Sequence, residues 1–214
     1  PGRAPVPRRR RASGLVSVLL DAGPSLNFLA VGQENVLIQV AASANLGLAV
    51  PQRVEKEILG VCRDPRFRGT PAEATWRKLC SAGRISVLDD TLTTQQFIDA
   101  VTRISGQPAH ERIRSTRSLG EIMVLTHASV FAQQGQDVYV LIDEGDGRRR
   151  ALREIAWLQG RQAPGRLVLW STPQVLKQAS AQEGWIKGGL TWEAVYRQMR
   201  RFDDGLPPLT PPTT

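Results

Sequence analysis

Gly14-Leu15-Val16-Ser17-Val18-Leu19-Leu20-Asp21 and Val138-Tyr139-Val140-Leu141-Ile142-Asp143-Glu144 are two short apolar runs that each end on an acid. Runs of Val, Ile and Leu this short, bounded by polar or turn residues, read as strands buried on both faces. Working outward, the stretches 46–50, 85–88 and 166–170 have the same character as 15–20 and 138–142. Helical patterns lie between them, over roughly 33–44, 51–61, 70–80, 93–104, 119–134, 147–159, 173–183 and 191–201. This alternation implies crossover connections, so the expected fold class is α/β with a parallel sheet covered on both faces. In such sheets ligands bind beyond the carboxyl ends of the strands, where the strand order reverses. Asp21 and Asp143 stand at two of those ends.

The chain has 214 residues, 41% hydrophobic and 22% charged, enough for one domain with a core of its own. Residues 1–13, with the run Arg8-Arg9-Arg10-Arg11, read as a basic tail, 14–202 as the domain and 203–214 as a frayed, Pro-rich end. A net charge of +8, from 28 Lys+Arg against 20 Asp+Glu, favours a polyanionic partner. The basic run followed by apolar residues superficially resembles a signal peptide, but Asp21 interrupts it and a buried strand explains it better. No window approaches the roughly 18 apolar residues of a membrane span, so a soluble, cytoplasmic protein is expected. Cys62 and Cys80 are expected as reduced thiols. His110 and His127 are isolated, which argues against a zinc site or a histidine triad, and His127 reads as a packed residue.

The remaining candidates are carboxylates, each with a structural alternative. Asp21 opens Asp21-Ala22-Gly23-Pro24, which also suits a helix cap. In Val54-Glu55-Lys56-Glu57-Ile58 the buried stripe is Val54, Ile58 and Val61, and Glu57 falls about 60° from its middle, with Glu55 farther off and solvated. Ser118-Leu119-Gly120-Glu121 offers Glu121 as a third acid, and equally as the far member of a capping box. Asp143, Glu144 and Asp146 offer a fourth, or an acidic turn before a helix. Clustered carboxylates repel and raise one another's pKa unless a cation neutralises them. Hard oxygen ligands in that number suit Mg²⁺ or Mn²⁺ and phosphodiester hydrolysis.

With these residues in place the chain resembles the PIN-domain family, and in particular its VapC-like toxin branch. The resemblance runs through Val18-Leu19-Leu20-Asp21-Ala22-Gly23-Pro24-Ser25-Leu26, then Ala49-Val50-Pro51-Gln52-Arg53-Val54-Glu55-Lys56-Glu57-Ile58-Leu59. It continues through Leu119-Gly120-Glu121, through Val140-Leu141-Ile142-Asp143-Glu144 with Arg148 and Ala151, and through Ser171-Thr172-Pro173 with Gly184-Trp185-Ile186. It implies a three-layer α/β/α sandwich and a Mg²⁺- or Mn²⁺-dependent endoribonuclease, with Asp21, Glu57, Glu121 and Asp143 as catalytic acids. Glu144 stands where the branch often has a second Asp and joins the expected metal ligands. An antitoxin partner and a homodimer are implied as well. Arg148, Arg149 and Arg150 are expected phosphate contacts, or a solvated helix face. A non-catalytic PIN-like module that binds RNA or protein is the alternative. Residues 62–118 exceed a minimal PIN domain and carry no recognised motif; a clamp or dimer surface is expected there.

Overall fold

A computed structural model describes residues 17–209. The basic tail expected over 1–13, the start of the leading apolar run, and Pro211 and Pro212 lie outside the described residues. The five apolar runs form β1 (Ser17–Leu20), β2 (Gly47–Pro51), β3 (Ile85–Leu88), β4 (Val138–Leu141) and β5 (Leu167–Trp170). They make one sheet in the order β3-β2-β1-β4-β5, parallel throughout. β1 is central: Leu19 pairs with Ala49 on one side and Val140 on the other. Val18, Leu19 and Leu20 are all buried, because helices cover both faces of the strand.

The helices are α1 (Ala22–Ala30), α2 (Glu34–Ser43), α3 (Gln52–Val61), α4 (Ala72–Ser81), α5 (Gln95–Ser105), α6 (Ala109–Arg112), α7 (Leu119–Gln133), α8 (Gly145–Gly160), α9 (Thr172–Ser180) and α10 (Trp192–Met199). α7 is apolar nearly all round because it lies on β1, β2, β4 and β5 and is itself covered by α3, α5 and α8. α2 packs on β2 and on α9, which packs on α10. The result is the expected three-layer α/β/α sandwich. α1 and α6 are additions to the sequence reading. α1 starts directly after Asp21, with Pro24 in its first turn, where Pro lacks no needed donor.

The end expected to fray from residue 203 is instead packed for several residues. Leu206 is 1% exposed, Tyr196 Oη donates to Pro207 O at 2.8 Å, and Arg200 Nε donates to Leu206 O at 3.1 Å. Cys62 and Cys80 are free and half-buried. His127 is packed, edge-on to Phe97 and 2.9 Å from Asp90 Oδ1. Among the described residues no helix is long and apolar enough to cross a membrane.

Candidate active site

The order in which strands are added reverses between β1 and β4: β2 and β3 extend one way from β1, and β4 and β5 lie on its other side. That junction is the crevice where open α/β sheets bind ligands, and the first residues beyond it are Asp21 and Asp143. Asp21 continues the ladder, its N–H donating to Leu141 O at 3.2 Å, and its carbonyl accepts from Ser25 N and Oγ. Although it occupies the N-cap position of α1, its side chain makes no capping bond. Asp21 is 9% exposed. Burial drives its carboxyl up to about 7; the nearby Ala22 amide opposes the shift, and the charges of Glu121, Glu57 and Glu144 add to it. Four of the expected acids therefore share one electrostatic neighbourhood.

Asp143 is equally buried and better partnered. Its Oδ1 accepts from Thr172 N at 2.8 Å and its Oδ2 from Thr172 Oγ1 at 2.5 Å, so it also caps the first turn of α9 from another strand. Burial still raises its pKa against the two Thr172 bonds; the Asp203 charge pushes the same way and Arg148 the other.

Glu57 reaches from α3 toward the start of α7, where Gly120 N donates to its Oε1 at 3.3 Å and Arg53 Nε lies at 3.6 Å. Burial raises its pKa, and these two partners oppose the rise. Glu55, expected in solvent, is half-buried. Glu121 is 6% exposed and accepts from Arg150 Nη1 at 2.5 Å. The capping box is not formed: Ser118 is left-handed, φ 50°, and its side chain caps nothing. Two glycines make room for the acids. A Cβ at Gly120 would stand 2.9 Å from Glu57 Cδ, and one at Gly147 would stand 2.6 Å from Glu121 Oε2. Real Cβ atoms do not approach so closely, so these helix starts are cut away for carboxylates.

A cleft of about 480 Å³ opens beside α1, lined by Asn27, Glu57, Glu144, Asp203 and Asp204 together with Arg66. Asp203 is the acid that sequence reasoning missed. Its Oδ2 accepts from Asn27 Nδ2 at 2.7 Å and its Oδ1 from Gly205 N at 2.9 Å.

Each arginine expected to contact phosphate has a partner within the chain. Arg148 Nη1 donates to Ile142 O at 3.0 Å and to Trp170 O at 3.3 Å, tying α8 to the ends of β4 and β5. Arg149 pairs with Asp146 on the surface, and Arg150 with Glu121. Among the described residues no three acidic, His or Cys side chains stand together as a ready metal-ligand set. The acids converge on one edge, yet Glu57 and Glu121 turn toward arginines and Asp143 toward Thr172. Comparison with family models, with curated proteins and with solved structures finds nothing that matches the chain.

Proposed function

We propose that the chain is a PIN-type endoribonuclease that hydrolyses RNA phosphodiester bonds with Mg²⁺ or Mn²⁺. The observation that carries this reading is Asp21: a carboxylate buried at the switch point, with the Ala22 amide as its opposing partner and no cation paired with it among the described residues, under the negative field of Glu57, Glu121 and Glu144. A group so placed gains most from a cation, since the cation removes repulsion that folding otherwise has to bear. The donors are hard oxygens, which fits Mg²⁺ or Mn²⁺. Asp21 and Asp143 would hold the ion, with Glu57, Glu121 or Glu144 completing the set once turned from their present partners. A divalent ion held there would supply positive charge against the scissile phosphate and would assist deprotonation of water for hydrolysis.

The chain's own residues prepare that site. Thr172 fixes the carboxylate plane of Asp143, Arg150 holds Glu121 at the rim, and Gly120 and Gly147 keep the approach open. The toxin role, the antitoxin partner and a homodimer rest on the resemblance alone and belong to the same proposal. The reading is tested by incubating purified protein with single-stranded RNA in Mn²⁺ and in excess chelator. Cleavage confined to the Mn²⁺ reaction, and lost in Asp21→Asn, is the expected result; undiminished cleavage in chelator overturns it.

The non-catalytic alternative has one observation in its favour, the ion pairs Arg150–Glu121 and Arg53–Glu57, which neutralise two of the acids without a metal. Titration with Mn²⁺ separates the two readings, because only the nuclease site gains thermal stability as the ion is added.

A further inference from the structure

The segment 106–118, between α5 and α7, closes a polar cleft of about 250 Å³ whose walls include Arg112, Arg117, Arg150, Ser115, Ser118 and Asp146. Its charge is opposite to that of the acidic cleft. Arg112 is 6% exposed, and its guanidinium is held by two backbone carbonyls, Ser115 O at 2.8 Å and Arg117 O. Burial, with the positive charges of Arg150 and Arg53 nearby, pushes its pKa below the usual arginine value; Glu121 opposes.

The cations outnumber the anions available to them. Arg150 has Glu121, Arg53 has Glu57, and Asp146 is already taken by Arg149. Arg112 forms no ion pair, and Arg117, on the exposed loop, forms neither an ion pair nor a side-chain hydrogen bond, among the described residues. A buried cation without a counter-anion is costly, so the cluster is stabilised by an oxyanion just as the acidic edge is stabilised by a metal. Guanidinium forks match phosphate oxygens in shape as well as in charge. Ser118 and Ile122, at the start of α7, line the same cleft. Arg150 belongs to both places, lining this cleft while it holds Glu121.

We infer that the cleft formed by Arg112, Arg117 and Arg150 is a phosphate subsite, taking one backbone phosphate of a single-stranded RNA whose neighbouring linkage lies at the acidic edge. This rests on the nuclease reading for the identity of the strand. The residues 62–118 that exceed a minimal domain thereby contribute part of the substrate track.

Binding is measured apart from cleavage, by anisotropy of a labelled short single-stranded RNA in excess chelator. Arg117→Gln is the informative variant, since the side chain is exposed and holds nothing in the fold; Arg114→Gln, another exposed arginine of the same loop, is the control. Loss of a charge-assisted contact is expected to weaken binding about tenfold in Arg117→Gln. The slope of log affinity against log salt should flatten by about 0.7, one phosphate contact on a single strand. Arg114→Gln should fall well short of both changes. Equal losses in the two variants would mean diffuse charge attraction and would overturn the subsite, as would unchanged binding in Arg117→Gln. Failure of metal-dependent cleavage with the Arg117 effect intact would sink the nuclease reading and leave the phosphate site standing.

Discussion

Asp21, Asp90 and Asp143 lie past strand ends on the same edge of the sheet and meet different fates. Asp90, just beyond β3, is fully partnered: Oδ2 accepts from Arg53 N at 2.6 Å, capping α3, and Oδ1 meets His127 Nε2 at 2.9 Å. Asp143, beyond β4, spends both oxygens on Thr172 yet stays raised by burial. Asp21, beyond β1, is buried with no capping bond and only the Ala22 amide to oppose its burial. The difference lies in the positions of the strands. Asp90 sits near the edge strand, where a helix start and a histidine can reach it, whereas Asp21 sits at the central crevice, where the charges acting on it are those of other acids. Residue type and strand-end position alone do not separate a structural carboxylate from a chemical one; the partners do.

The largest expected effect breaks that comparison at its ends. Asp21→Asn and Asp143→Asn should each lower Mn²⁺-dependent RNA cleavage by on the order of a thousandfold, about 4 kcal/mol of barrier. Asp90→Asn should leave cleavage within a few-fold, because an amide oxygen still caps α3. Comparable losses in all three would erase the distinction.

Stability against pH sharpens it next. The folded pKa of Asp21, about 7, lies above its ordinary 3.8, so the folded state holds this proton more tightly than the unfolded chain. The resulting penalty is absent below about pH 4, grows as pH rises and is complete above about pH 7, on the order of 4 kcal/mol at most. Without divalent metal, Asp21→Asn should therefore match the wild type near pH 4 and exceed it in denaturant midpoint near pH 8. Added Mn²⁺ should narrow the gap by stabilising only the wild type. Asp143→Asn should gain less, since Asn returns one acceptor where Thr172 needs two. A stability gap for Asp21→Asn that shrinks as pH rises would contradict the burial argument.

Asp90→Ala is the converse case. Removing a cap and leaving His127 without its acid should destabilise by roughly 2 kcal/mol while cleavage persists. Melting temperature and RNA cleavage measured together check it.

The sequence exposed the sheet almost completely because a parallel strand buried on both faces has to be written as a continuous apolar run, and Val18-Leu19-Leu20 or Leu48-Ala49-Val50 leave little else to read. α1 was hidden because Ala22-Gly23-Pro24 spells a turn as readily as a first helical turn. Asp21 and Asp143 were legible from their position after strands, and Glu57 from its angle on α3. Asp203 was not legible: Asp203-Asp204-Gly205 precedes a Pro-rich stretch, and only the burial of Leu206 and the Asn27 contact bring it to the cleft. The carbonyl partners of Arg148 were not legible either, since a basic triplet on a helix start says nothing about which guanidinium the strand-end carbonyls will claim.

The smallest expected effect distinguishes room made for an acid from mere helix propensity. Gly60, on α3, has nothing within 4 Å of an added Cβ, so Gly60→Ala should stabilise by about 0.5–1 kcal/mol through the loss of unfolded-state entropy. Gly120→Ala receives a similar propensity gain but must displace the Glu57 carboxylate, whose Cδ would lie 2.9 Å from the new Cβ. Because that carboxylate is the far end of a flexible side chain, it can swing away, and the net stability change should stay within about 1 kcal/mol of zero. The Gly120 N–H bond to Glu57 Oε1 should be lost in the process, and with it the position of the acid beside Asp21. Cleavage in Gly120→Ala should then fall while folding is nearly untouched, whereas Gly60→Ala should cleave as well as the wild type. Thermal melts and RNA cleavage on the two variants decide it: equal activity in both would mean that Gly120 serves only the close packing of α3 on α7 and that the acidic edge tolerates Glu57 elsewhere.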